Sequence, residues 1–299
     1  MTRPIILDLT PGAQGMATLL AALQVPDHVR PVLVLFSGQP AEVAVALTHA
    51  RDLLHQYGLD DVGVHAGCPG SLTGGTGHDV PAGQDGLGAL NLVQAVRACP
   101  ADSVSICCSG PLTTLALALV QAPDIATHMH GVIVNGGAFY VHGDATGVAE
   151  HNIAADPEAA ALVLAAGVPV TLVPLDCTAR LKADAVWMEQ LEPMGRKPAS
   201  VAGRVHAELV AARNGGARGS GVDITLRPVV PLLALLGPGL FSGHLAHVDV
   251  ERRGEFTRGM TVARRMGPPD VQPNALVLER MSVEAVRGVL RDLLLSVRK

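Results

Sequence analysis

With 299 residues, 48% of them hydrophobic and 16% charged, the chain has apolar material for a large core, which Val, Leu and Ala must supply because aromatics are only 2%. A net charge of −5 without a long Lys/Arg run excludes a basic field for nucleic acid, and no apolar stretch reaches the roughly 18–20 residues of a membrane span. An odd number of cysteines, five, argues against a disulfide framework, and the N-terminus lacks a signal peptide's apolar core, so a cytoplasmic location is expected.

Taken in chain order, short runs rich in Val, Ile and Leu predict strands at Pro4–Leu9, Pro31–Ser37, Val62–Ala66, Val104–Cys108, Gly131–Asn135 and Val168–Leu175. Their continuous rather than alternating apolarity suits strands covered on both faces. Between and after them, Gly15–Leu23, Ala41–Tyr57, Ala89–Ala98, Leu112–Gln121, Pro157–Ala166, Pro198–Arg213, the buried Pro228–Leu240 segment and the amphipathic Ser282–Val297 segment predict helices. Gly70–Gly77 and Asn214–Val222 read as Gly-rich loops, the first without the Lys of a phosphate-binding loop. The alternation predicts one α/β domain over residues 1–299, an open, mostly parallel twisted sheet with helices on both faces, Rossmann-like. Right-handed crossovers are expected, with functional residues beyond the carboxyl ends of the strands. The adjacent Cys107 and Cys108, in an apolar run, read as core thiols.

Five stretches in order carry a more specific signal: IILDLTPGAQGM at Ile5–Met16, GQDGLG at Gly83–Gly88, SGPLTT at Ser109–Thr114, GG…HGDATGVAEHNIAADPEAA within Gly136–Ala160, and DVERRGEFTRGMTV at Asp249–Val262. Together they resemble the inosine-uridine-preferring nucleoside hydrolase family over nearly the whole chain. The fourth stretch is long and specific; GPLT alone would be weak. The resemblance implies a calcium ion held by aspartates of the first loop, a carbonyl near the GPLT turn and a distal Asp. That ion grips the ribose hydroxyls and activates the water that opens the N-glycosidic bond. Calcium needs about six to eight oxygen ligands, so several carboxylates are required.

This sequence departs from that pattern. Asp8 is kept, but Thr10 stands for the family's second Asp, and Gln14 and Gly15 for its Asp-Asp pair. Leu226-Arg227-Pro228 aligns with the family's His-Asp-Pro, so Arg227 replaces the distal ligand; the competing placement brings in Asp223, four positions earlier. Ala82 replaces a His, and Gln39 an Asn. The expectation is therefore no cofactor, with the family's calcium site lost and the Arg227 guanidinium pairing with Asp8 in its place.

On the other side of the pocket, the resemblance gives Asp144, Glu150 and Asn152 the ribose hydroxyls, groups that carboxylates and amides bind well. Asp8, Glu150 and Arg227 are the candidate catalytic residues; Thr10, Gln14, Gln39, Ser109, Asn135, Asp144, Glu150 and Asn152 are the candidate ligand contacts. Asp156 before Pro157 reads as a helix cap, Asp85 as a turn-former, and His151 as a surface or core residue in place of a Phe.

Three functions compete on these residues. The first is a protein that binds a ribosyl compound without the calcium reaction, a pseudoenzyme or partner subunit. The second is an altered N-ribohydrolase with Asp8 or Glu150 as general base, and the third is a structural role without a ligand. The expected partner is a ribonucleoside or related ribosyl molecule, in a homo-oligomer or a complex with a paralogue, with no nucleic acid and no membrane.

Overall fold

In the computed structural model, residues 2–73, 87–197, 200–214, 223–264 and 271–296 are described. The apolar runs become strands β1 (Arg3–Leu9), β2 (Val29–Phe36), β3 (Gly63–Ala66), β4 (Val104–Cys108), β5 (Met129–Asn135) and β6 (Val170–Val173). A two-stranded pair follows, β7 (Lys182–Ala183) with β8 (Ile224–Thr225), and then β9 (Phe241–Val250), β10 (Thr261–Arg264) and β11 (Ala275–Met281). Nine of them form one sheet in the order β10-β9-β11-β6-β5-β4-β1-β2-β3. Every pairing from β3 across to β11 is parallel; β9 and β10 close that edge antiparallel.

Strand period 2 divides the core. Ile5, Leu7 and Leu9 of β1 join one buried cluster with Phe36, the helix Ala13–Leu23, the helix Pro40–Gln56 and the C-terminal helix Val283–Leu295. Ile6, with Ile106 and Cys108, joins the other, beneath the helices Gly88–Arg97, Thr113–Gln121 and Pro157–Ala165. Helices therefore cover both faces, as the continuous apolarity of the strands requires. Asp8 shares the parity of Ile6, so its carboxyl enters the second face at the end of β1.

From β1 the chain runs to β2 and β3 on one side, then returns to build β4, β5 and β6 on the other. This reversal puts a topological switch point between β1 and β4, where open α/β sheets form their crevices.

Sequence reading missed β11, all of β9 before Asp249, the β7–β8 pair and the short helices at His151–Ala155, Leu175–Thr178, Ala185–Gln190 and Glu192–Gly195. The Pro228–Leu240 segment is not one helix: a 3-10 turn at Arg227–Val229 precedes the helix Val230–Leu236, and Gly237 separates that from a second 3-10 turn. Its first two turns each hold a Pro near the start, a position that tolerates the missing N–H. The expected Pro198–Arg213 helix is seen as Val201–Asn214; the Asn214–Val222 loop beyond Asn214, and Ala82 and Asp85 in the GQDGLG region, fall outside the described residues.

Ile106 sits in the middle of the sheet with 0% exposure. Ile106→Ala should lower the unfolding free energy by about 2–5 kcal/mol, read as an earlier urea midpoint at unchanged slope.

Candidate functional site

The carboxyl ends of β1, β2, β3 and β4 open onto a cleft of about 650 Å³. Its lining includes Thr10, Ser37, Gln39, Cys68, Thr113, His151 and Asn152. The loop after β3 comes in with no side chain at Gly67, where a Cβ would stand 2.1 Å from Ser37 Oγ and 2.8 Å from Thr114 Oγ1. A side chain there would have to displace both hydroxyls, so glycine lets the backbone come close to them.

Behind the cleft, Asp8 is fully buried. Its Oδ1 accepts a hydrogen bond from Ser37 Oγ at 3.1 Å, and its Oδ2 has no partner among the described residues. Burial pushes this carboxyl up to about 7, only partly offset by the Ser37 hydrogen bond. The Asp8 carbonyl accepts from Ser109 N at 2.8 Å, while Ser109 Oγ accepts from Thr10 N at 3.2 Å. Ser109 thus stitches the end of β4 to the end of β1.

The segment after β5 supplies the opposite side. Glu150 caps the helix His151–Ala155: its Oε2 accepts from Asn152 N at 2.9 Å and Ile153 N at 3.2 Å, and also from Gly137 N at 3.3 Å. Burial raises this carboxyl to about 7 despite those N–H donors; Asp144 adds to the rise and Arg227 opposes it. The Asn152 amide donates to the carbonyls of Ser109 at 3.1 Å and Asn135 at 2.8 Å. At the edge of the cleft, Asp144 Oδ1 accepts from His151 N at 2.8 Å, and its Oδ2 pairs with Arg227 Nη2 at 2.6 Å. Arg227 Nε donates to Thr225 Oγ1 at 3.1 Å.

The sequence-derived residues therefore fall into groups. Thr10, Gln39 and Asn152 line the cleft; Asp8, Ser109, Asn135 and Glu150 form the buried network behind it. Gln14, half-buried in the first turn of its helix, is not part of the lining. The expected partner of Arg227 is corrected: it pairs with Asp144, not Asp8. The turn that carries Arg227 meets the loop after β5, whereas Asp8 lies beneath Thr10, Ser37 and Ser109. Asp156 does cap the helix Pro157–Ala165, as expected, through Ala159 N. Ser37 and Thr113 were missed. Small hydroxyls just past strand ends at a switch point were the available signal.

The donor set differs from the one that the family resemblance implies for calcium. The unpartnered Asp8 oxygen is the kind of group such an ion would use. At the positions to which the resemblance gives further ligands, however, residues 10, 14 and 15 carry a hydroxyl, an amide and a hydrogen, and residue 227 a positive charge. A Cβ on Gly15 would lie 2.1 Å from the Thr10 carbonyl oxygen, so backbone already fills the space an acid at that position would enter. Among the described residues no group of three or more His, Cys, Asp or Glu could hold a metal ion. About six to eight oxygens are needed.

Two outcomes follow. An unfolded Asp releases its proton near 3.8, but the folded protein holds it on Asp8 up to about 7. This contribution to stability is therefore full below the lower value and lost as pH rises through the upper one. Glu150, raised from 4.5 to about 7, acts in the same sense. Asp8→Asn should flatten, without abolishing, the fall in stability between about pH 4 and about pH 7, read from denaturation midpoints across that range. Gly15→Asp should lower stability by about 2 kcal/mol or more and gain no calcium-dependent rise in melting temperature.

The profile described as "Inosine-uridine preferring nucleoside hydrolase" matches residues 5–288. The pyrimidine-specific ribonucleoside hydrolase RihA of Shewanella woodyi is 32% identical over 298 residues, covering 93% of both chains. An uncharacterized protein of Schizosaccharomyces pombe is 30% identical over 276 residues, 86% of this chain and 88% of that one. In fold, a plant nucleoside hydrolase superposes with a TM-score of 0.82 at 24% identity, covering 98% of this chain and 99% of that one. A purine-preferring ribonucleoside hydrolase from Gardnerella vaginalis reaches 0.80 at 22% identity, covering 98% of both. From the ordered motifs, the switch-point cleft and a profile spanning nearly its whole length, this chain belongs to the inosine-uridine preferring nucleoside hydrolase family.

Proposed function

We propose that this chain is a single nucleoside-hydrolase-like domain that binds a ribonucleoside or related ribosyl compound in the switch-point cleft, uses no cofactor, and does not run the family's calcium reaction. The observation that carries this reading is the 2.6 Å pair between Arg227 and Asp144. A fixed guanidinium stands where the alignment puts the distal metal ligand, and it is already neutralised by a residue of the ribose side. A guanidinium can hold oxygen acceptors, but it cannot acidify a bound water as a divalent ion does. Asn152 and the acids around it suit a cis-diol. On this reading the chain is a pseudoenzyme or the partner of an active paralogue, working as a homo-oligomer or mixed complex in the cytoplasm.

One observation favours a second reading, slow metal-independent N-ribohydrolysis. Asp8 and Glu150 both titrate at about 7, the range in which a carboxylate is useful as a general base. In that reaction a water oxygen bonds to the anomeric carbon and its proton passes to a carboxylate. The C–N bond breaks with its electron pair leaving on the base. A general base supplies about 10²–10⁴-fold, and Asp8 lies under the cleft floor, so turnover would be low.

The test is free-ribose release and thermal stabilisation with uridine and inosine, in calcium and then in chelator. The expected outcome is a ligand-dependent rise in melting temperature that neither calcium nor chelator alters, with no ribose released. Release that survives chelator selects the second reading. Release abolished by chelator overturns both, and no stabilisation by either nucleoside overturns ribosyl binding.

A further inference from the structure

Asp156 does more than its Asp-Pro sequence suggests. It is 1% exposed, and its two oxygens serve three different segments. Oδ1 accepts from Ala159 N at 3.1 Å, the ordinary cap of the helix Pro157–Ala165. Oδ2 accepts from Leu72 N at 2.8 Å and from Thr113 Oγ1 at 2.7 Å. Leu72 belongs to the loop after β3, which contributes Cys68, Pro69, Gly70 and Ser71 to the cleft. Thr113 opens the helix after β4 and lines the cleft itself, and Ala154 and Ala155 line it immediately before Asp156.

We infer that Asp156 is a positioning residue of the cleft, whose second oxygen clamps the 68–73 wall onto the helix that begins at Thr113 and so fixes the shape a ribosyl ligand meets. Cys68 and Leu72 of the wall also pack against the core. The wall carries Pro69 and Gly70, and a further tie to the same helix is Cys68 N donating to Thr114 Oγ1 at 2.9 Å. A cap alone needs one oxygen, and Ser fills that role nearly as well as Asp. Only a carboxylate of this reach can accept the cap N–H on one oxygen while its other oxygen takes two further donors. Hydrogen bonds to a buried charged acceptor are the strong kind, and a donor left without one is costly. The cap and the clamp are thus separable by chemistry, although one side chain provides both. The clamp stands on the geometry of the chain; its effect on a ligand rests on the ribosyl-binding reading above.

Asp156→Ser separates them, because it retains a capping oxygen for Ala159 and is too short for Leu72 and Thr113. Amide hydrogen exchange on the full chain should show residues 68–73 exchanging about tenfold faster or more, while the Pro157–Ala165 helix keeps its protection. Uridine affinity measured by calorimetry should fall about tenfold. Unchanged exchange at 68–73, an equal rise along the helix, or unchanged uridine affinity beside a loosened wall would each overturn the assignment. If the serine variant does not fold, Thr113→Val, which removes one of the two donors to Oδ2, should raise exchange at 68–73, and no rise there overturns it as well. If the unmodified protein fails to bind uridine or inosine, ribosyl binding falls, while the exchange measurement still decides the clamp.

Discussion

The site hangs on the amide of Asn152. One nitrogen donates to the main-chain carbonyls of Ser109 and Asn135, and so joins the ends of two neighbouring parallel strands that have no ladder left to join them. Buried carbonyls without donors are costly, and an amide N–H₂ suits two acceptors set side by side. Asn152 can do this because its own helix, only five residues long, is started by the Glu150 carboxylate. The chain of dependence runs from β4 and β5 through Asn152 to Glu150, and from Ser109 back to Asp8 and Thr10. Each member is within a hydrogen bond of the next, so the cleft is shaped by a connected polar layer rather than by separate side chains.

Charge balance in that layer is unusual. Asp8 and Glu150 are both buried, and neither makes an ion pair among the described residues; Arg227, whose charge acts on Glu150, is held by Asp144. Desolvation outweighs hydrogen bonding for both buried acids and raises each to about 7. The Arg227–Asp144 pair is only partly buried, at 19% and 33% side-chain exposure, so its value lies in fixing two loops against each other more than in net stability. A divalent ion would bring twice the charge and would take its oxygens from the loops themselves.

Much of this was legible in the chain and some was not, for reasons of distance. The first six strands announced themselves because strands covered on both faces must be apolar throughout. β11, ALVLERM, breaks off its apolar run after four residues and is as compatible with a helix turn as with a strand, so periodicity alone does not settle it. Asp156 as a cap was visible in the Asp-Pro pair, but its bonds to Thr113 and Leu72 span 43 and 84 positions and have no local signature. Arg227 and Asp144 are 83 positions apart, and opposite charges alone pointed to Asp8 as readily as to Asp144. What composition and motif order do fix is the end of the sheet at which the polar residues collect.

Gly15 has a consequence for which substitutions the first loop accepts. With no side chain there, the Thr10 carbonyl has settled into the volume that a Cβ would take. A side chain of any kind at this position asks the backbone at Thr10 to withdraw. The demand is one-sided: glycine here leaves the first loop undisturbed, while any side chain at position 15 must first displace a main-chain carbonyl, an atom that cannot turn aside as the end of a flexible side chain can.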